Sequence, residues 1–228
     1  MNKSYIYTNS SNKSNKAVIV LPEIFGITDF IKRTTDRFAE EFELPAFAID
    51  HFYAVTGKVE IIEYADMQHG SAIKDRMTGD GFYEFFTKAL DEIQAEYRNI
   101  KEFVVVGFCF GGRLAYLAGM DGRVNKVVSF YGGQPHLPNY YDGNSPVEAL
   151  ISAKGGSGLQ VLSFYGGQDE SIPAEDRAKT KQLLGAAGIG YTEKVYGQAG
   201  HAYFNDSRPE RYSAKAAEGS WVDIKKFI

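Results

Sequence analysis

Residues Glu102–Phe108 (EFVVVGF), running on into Cys109, Phe110, Gly111 and Gly112, decide the fold. A continuous apolar run of β-branched and aromatic residues, bounded by turn residues, reads as a strand buried on both faces, the condition of a parallel sheet. The glycine pair and the apolar residues after it predict a turn and then a helix over Arg113–Met120. The segment from Gly107 to Gly111 is therefore a G-x-S-x-G pattern with cysteine in the place of serine, in the strand–turn–helix setting that gives the pattern meaning. The physics asks for both glycines. The residue between them takes a strained backbone conformation, and side chains at 107 and 111 would collide with the neighbouring strand and helix. The helix start aims its free N–H groups and its dipole at the sulfur, which favours thiolate, and the amide of Phe110 is placed to be half of an oxyanion hole. A lone cysteine is more often a small buried hydrophobe, and phosphate-binding loops also join strand to helix through glycines. The phosphate loop needs G-x-G-x-x-G, however, and bulky Phe108 and Phe110 stand where backbone would have to approach phosphate.

Working outward, strands are expected at Tyr5–Thr8, short and at an edge, and at Lys16–Pro22, Pro45–Asp50, Asn125–Phe130, Leu159–Tyr165 and Tyr191–Tyr196. Helices are expected from Thr28 or Asp29 to about Phe42, and over Phe82–Tyr97, Ala174–Ala187 and Ala214–Phe227. His51–Asp80 reads as mostly loop with one short helix, and the stretch after Gly133 to Gly143, with two prolines and two tyrosines, as a surface excursion. Strand and helix alternate throughout, which predicts a mostly parallel sheet flanked by helices on both faces, in a single α/β domain over residues 1–228.

The chain of 228 residues carries a net charge of −4, which offers no basic stripe and argues against nucleic acid as a partner. Its polar N-terminus lacks the apolar stretch of a signal peptide, no apolar run is long enough to span a membrane, and one cysteine cannot form an intrachain disulfide. These features suit a cytoplasmic protein, taken as a monomer by default. No ligand spacing suggests a metal, and no cofactor is implied.

A catalytic cysteine needs a base, and the base an orienting acid. Asp169 and His201 follow the nucleophile in that chain order, each just past the end of an expected strand, on the edge where parallel sheets bind ligands. His201 can take the thiol proton while Asp169 holds its tautomer. Glu170 is the nearest rival acid but lies one residue deeper in its turn, and His51, His69 and His136 read as exposed or core histidines.

With these residues in place the sequence resembles the dienelactone hydrolase family, of the α/β-hydrolase fold, over most of its length. The carrying segments are Leu21–Gly26 (LPEIFG), Gly107–Gly112 (GFCFGG), Tyr165–Asp169 (YGGQD) and Ala199–His201 (AGH). The resemblance implies a Cys109–His201–Asp169 triad and a Glu23 that contacts the cysteine at rest and is displaced when substrate binds. It also implies Ile24 as the second oxyanion donor beside Phe110. The activity implied is opening of a small ester or enol lactone through a Cys109 thioester. A thiolate is a good leaving group, so poor activity on simple alkyl esters and none on amides is expected. In the family, arginines hold a substrate carboxylate. Here Arg208 is the candidate, with Arg211 close behind, although Arg208 stands further from the histidine than in the best-known pattern. Arg76 has no clear counterpart, and Arg113 reads as a structural contact. Phe25, Tyr53, Tyr131, Tyr203 and Phe204, at or near strand ends, are candidates to line the pocket or, equally, to pack the core. Two other readings stand beside this one: a broad carboxylesterase or thioesterase on the same fold, and, more weakly, a thiol sensor or binding protein that leaves Glu23, Asp169 and His201 without a purpose.

Overall fold

The computed structural model describes residues 3–10, 14–138, 143, 145–155 and 157–228. Seven strands form one sheet: β1 (Ile6–Asn9), β2 (Lys16–Leu21), β3 (Ala46–Ile49), β4 (Glu102–Phe108), β5 (Val124–Phe130), β6 (Gln160–Gly166) and β7 (Gly190–Tyr196). Their spatial order is β1-β3-β2-β4-β5-β6-β7. Strand β1 runs antiparallel on the edge, with Ile6 opposite Ile49, and every other pairing is parallel. The helices are α1 (Asp29–Phe42), α2 (Tyr53–Thr56), α3 (Met67–Lys74), α4 (Gly79–Glu96), α5 (Phe110–Ala118), α6 (Pro146–Lys154), α7 (Ala174–Ala186) and α8 (Ala214–Phe227).

The central strand β4 shows why both faces are covered. Its side chains alternate: Val104, Val106 and Phe108 join Val18, Val20, Val128 and Phe130 in a core closed by α1 and α8, with Phe38 and Trp221 in contact. Phe103 and Val105 join Ala17, Ile19 and Val127 in a second core closed by α4, α5 and α6. Residues Phe103 to Val106 are fully buried, so cutting one of these valines to alanine costs on the order of 2 kcal/mol.

Several boundaries differ from the sequence expectations for identifiable reasons. Helix α5 starts at Phe110, immediately after Cys109, three residues before the expected start. Gly111 and Gly112 are its first-turn residues, glycine because backbone crowds them: a Cβ at 111 would lie 2.3 Å from the Leu21 carbonyl oxygen. The segment 51–80 holds two short helices in place of one, and α4 begins at Gly79, where Thr78 Oγ1 accepts from the amide of Gly81. Helix α6 was not expected. Its signal is nonetheless local, a capping box in which Ser145 and Glu148 bond each other's backbone amides with Pro146 at the first helical position. Of the expected surface excursion, Tyr140 and Tyr141 lie outside the described residues, whereas 134–138 is irregular.

Because the six strands β2 to β7 are parallel, their C-terminal ends share one edge of the sheet. Beyond β2 comes Glu23, beyond β3 His51, beyond β4 Cys109, beyond β5 Tyr131, beyond β6 Asp169 and beyond β7 His201. The topology alone gathers these residues.

Candidate active site

Cys109 sits at φ 52°, ψ −115°, a conformation that non-glycine residues seldom adopt. The glycines explain how it is tolerated: a Cβ at Gly107 would lie 2.0 Å from the Gly111 carbonyl oxygen. Tyr131 (φ 39°) and Ala202 (φ 62°) are also left-handed, so three of the chain's strained residues flank this edge. The Cys109 amide donates to the Phe130 carbonyl at 2.9 Å, which ties the turn to β5.

His201 Nε2 lies 3.2 Å from the Cys109 sulfur, and its Nδ1 donates to Asp169 Oδ2 at 2.7 Å. Asp169 is buried, and its Oδ1 accepts from the Ser171 amide at 3.0 Å and from the Ser171 hydroxyl. Glu170, the rival acid, is exposed. Burial works against the imidazolium of His201, but the charge of the Cys109 sulfur and the Asp169 carboxylate outweigh it and raise its pKa to about 10. Burial likewise opposes the Asp169 carboxylate, yet His201 and Ser171 hold it below the usual carboxylate range. This electrostatic arrangement favours the imidazolium form of His201.

Glu23 is buried, and burial raises its pKa above the ordinary value; Asn205, His201, Arg208 and Tyr131 offset that only in part. Its Oε2 accepts from Asn205 Nδ2 at 2.7 Å, while its Oε1 and the nearby hydroxyl of Tyr131 are buried without a hydrogen bond of normal geometry among the described residues. The expected contact with the cysteine is thus replaced by one with Asn205, and the thiol faces His201. Asn205 is itself fully buried; its Oδ1 accepts from Ser207 N, and its Nδ2 also donates to the Tyr64 hydroxyl.

Two cavities, of about 400 and 440 Å³, meet at Ile24, Cys109, Ser171 and His201. The first continues past Phe110 and Tyr131 to Lys74, Met77 and Leu137. The second runs past Glu23, Phe25 and Met67 to Arg208 and Arg211. Ile24 and Phe110 therefore border the first cavity together with the sulfur-bearing Cys109. The Ile24 amide donates to no backbone acceptor among the described residues, and that of Phe110 is an unpaired first-turn amide of α5.

Of the candidate lining residues, Phe25, Tyr131 and Arg208 reach these cavities and three do not. Tyr53 packs on Tyr5 and Phe85 beside α4. Tyr203 is fully buried, its hydroxyl 2.7 Å from that of Ser220. Phe204 fills the core under α1 and α8, against Phe130 and Trp221. Strand-end position puts a residue near the site, but its side chain can still turn into the core. The Arg208 guanidinium lies over Phe25 and Tyr64, at 5.6 and 5.5 Å. Arg76 is exposed and borders a separate hollow. Arg113 donates to the carbonyls of Gly133, Gln134 and Leu137, the structural contact expected. Of the remaining histidines, His69 is exposed and His136 is tied to Asp176 and Thr180.

Sequence reasoning missed Ser171 and Asn205. The first had a signal, since an aspartate followed two residues later by serine forms an Asx turn. Asn205 had none, because its partner Glu23 lies 182 residues away.

The chain matches the model of the dienelactone hydrolase family over residues 3–228. It is 28% identical to a Synechocystis sp. protein named "putative carboxymethylenebutenolidase", over 92% of this chain and 84% of that one. To a protein of the same name from Escherichia coli (strain K12) it is 30% identical, over 92% of this chain and 75% of that one. A crystal structure of a "putative dienelactone hydrolase" from Klebsiella pneumoniae superposes with a TM-score of 0.75 at 22% identity, covering 96% of this chain and 90% of that one. No helix among the described residues is long and apolar enough to cross a membrane. The chain has the α/β-hydrolase fold and belongs to the dienelactone hydrolase family.

Proposed function

We propose that this chain, as one catalytic domain, hydrolyses a small activated ester or enol lactone of the carboxymethylenebutenolide kind through a Cys109 thioester. The observation that carries the reading is the line of contacts from sulfur to imidazole to carboxylate, 3.2 and 2.7 Å, at the meeting point of two cavities.

The Cys109 thiolate attacks the carbonyl carbon, and the amides of Ile24 and Phe110 hold the resulting oxyanion. The carbon–oxygen bond of the ring then breaks. The enolate leaves with the proton of the His201 imidazolium, and a thioester remains. Neutral His201 next takes a proton from water as it attacks the thioester carbonyl. The carbon–sulfur bond breaks, and the acid and the thiolate–imidazolium pair are released. Because sulfur leaves as readily as it attacks, the first step succeeds only when the oxygen leaving group is good, which selects enol and phenol esters over alkyl esters and amides. Glu23, held by Asn205, lines the second cavity together with Cys109 and serves as a second proton acceptor of the site. Arg208 and Arg211 give the second cavity a positive end suited to a substrate carboxylate. The names of the curated relatives point to the same lactone chemistry.

The test is turnover of a dienelactone, of an activated phenyl ester and of an acyl thioester by the wild type and by Cys109→Ala. The reading expects turnover that the alanine variant loses, with the lactone preferred. Equal activity in both proteins would remove Cys109 as the nucleophile, and a preference for the thioester would move the substrate class to thioesters.

A further inference from the structure

His51 is a fully buried histidine outside the triad, at the end of β3. Its Nε2 donates to the Pro22 carbonyl at 3.0 Å, and its ring meets Phe110 edge to face, with centroids 5.3 Å apart. The same Pro22 carbonyl accepts the Gly111 amide at 3.1 Å. Pro22 lies two residues before Ile24, and Gly111 directly follows Phe110. One imidazole thus touches both segments that carry the Ile24 and Phe110 amides beside the cavity at Cys109.

We infer that His51 is a positioning residue for the oxyanion hole, a clamp that sets the distance between the Ile24 and Phe110 amides. This rests on the assignment of those two amides as oxyanion donors. An oxyanion hole acts through preorganisation, so its donors must already stand at the right spacing when charge develops. The two donors here belong to different chain segments, a loop after β2 and the first turn of α5. The Gly111-to-Pro22 bond couples their backbones, and His51 fixes that carbonyl from the third side. The role needs a ring that is neutral and donates from Nε2. Burial lowers the pKa of His51 to about 4, against the pull of the Pro22 and Glu23 carbonyls, so the ring is neutral at pH 7. Its Nδ1 is buried without a partner among the described residues, an arrangement that an apolar ring of similar size would avoid.

The experiment compares His51→Phe, which fills the space without a donor, with His51→Gln, whose amide nitrogen can reach the Nε2 position. In His51→Phe we expect kcat on an activated phenyl ester to fall about tenfold or more with KM little changed. Iodoacetamide should alkylate Cys109 at the wild-type rate, because the triad is untouched. His51→Gln should recover most of kcat. The backbone amide resonances of Ile24 and Phe110 should shift in His51→Phe and return toward their wild-type positions in His51→Gln. Unmoved amides, or alkylation that slows in step with kcat, would overturn the clamp. The amide readout does not depend on turnover, so an active Cys109→Ala would sink the nucleophile assignment and leave the clamp to be judged by the resonances. If His51→Phe does not fold, His51→Leu takes its place.

Discussion

The side-chain amide of Asn205 donates to Glu23 Oε2 at 2.7 Å, while the sulfur of Cys109 faces the His201 imidazole at 3.2 Å. The bonded oxygen of the carboxylate is therefore held by Asn205, and the sulfur is paired with the imidazole instead. Asn205→Ala removes the bond to Oε2 and leaves Glu23 buried beside Tyr131, free to take a proton or to turn toward the sulfur. Alkylation of Cys109 by iodoacetamide at pH 7 should slow by roughly three- to tenfold in that variant, with a similar loss in kcat/KM. An unchanged alkylation rate would mean that Asn205 does not control the carboxylate.

Asp169→Asn keeps the shape of the acid but removes the charge that holds the imidazolium. A fall in kcat of about 10²- to 10⁴-fold is expected on an activated ester, with the pH dependence of Cys109 alkylation shifted upward. Retention of more than a tenth of the wild-type rate would show that His201 does not depend on this carboxylate.

Glu23 has a pKa raised by burial. Its folded state holds the proton more tightly than the unfolded chain does, so stability is lost as pH rises through the folded value. Glu23→Gln removes that loss and still offers Asn205 an acceptor. Urea unfolding should find the variant more stable at pH 8, with the difference closing near pH 3.5, where the carboxyl is largely neutral in both states. A variant less stable than wild type at pH 8 contradicts this sign.

Gly111→Ala places a Cβ 2.3 and 2.4 Å from the carbonyl oxygens of Leu21 and Pro22, which are backbone and cannot swing aside. Destabilisation of at least about 2 kcal/mol is expected, or roughly 4–8 °C in Tm, together with loss of turnover as the donors part. A Tm within a degree of wild type would show that the elbow yields more easily than its packing implies.

Arg208 packs on Phe25 and Tyr64 and also lines the second cavity. If it receives a substrate carboxylate, Arg208→Gln should raise KM for a carboxylate-bearing lactone by about ten- to a hundredfold and leave a neutral phenyl ester within about threefold. Equal losses on both substrates would assign Arg208 to packing or to the electrostatics of Glu23.

The sequence by itself determined which segments are strands, that the sheet is mostly parallel, and which residues stand at strand ends. Those properties follow from local periodicity: the runs around Val18, Val105 and Val128 have to be buried on both faces. Glycines at 111 and 112 misled the reading of the helix start, since a glycine needed for close packing looks in sequence like one needed for a turn. The capping box at Ser145 was legible and missed. What only the tertiary structure decided is where strand-end side chains point and which distant residues they meet. Tyr131 faces His201 while Tyr203 and Phe204 turn into the core under α8, although all three are aromatics at the same edge. Asn205 meets Glu23, and His51 joins Pro22 to Phe110, across separations no local pattern encodes. Side-chain direction in an irregular segment is set by the packing of the finished core, and that packing exists only once the sheet has brought its strand ends together.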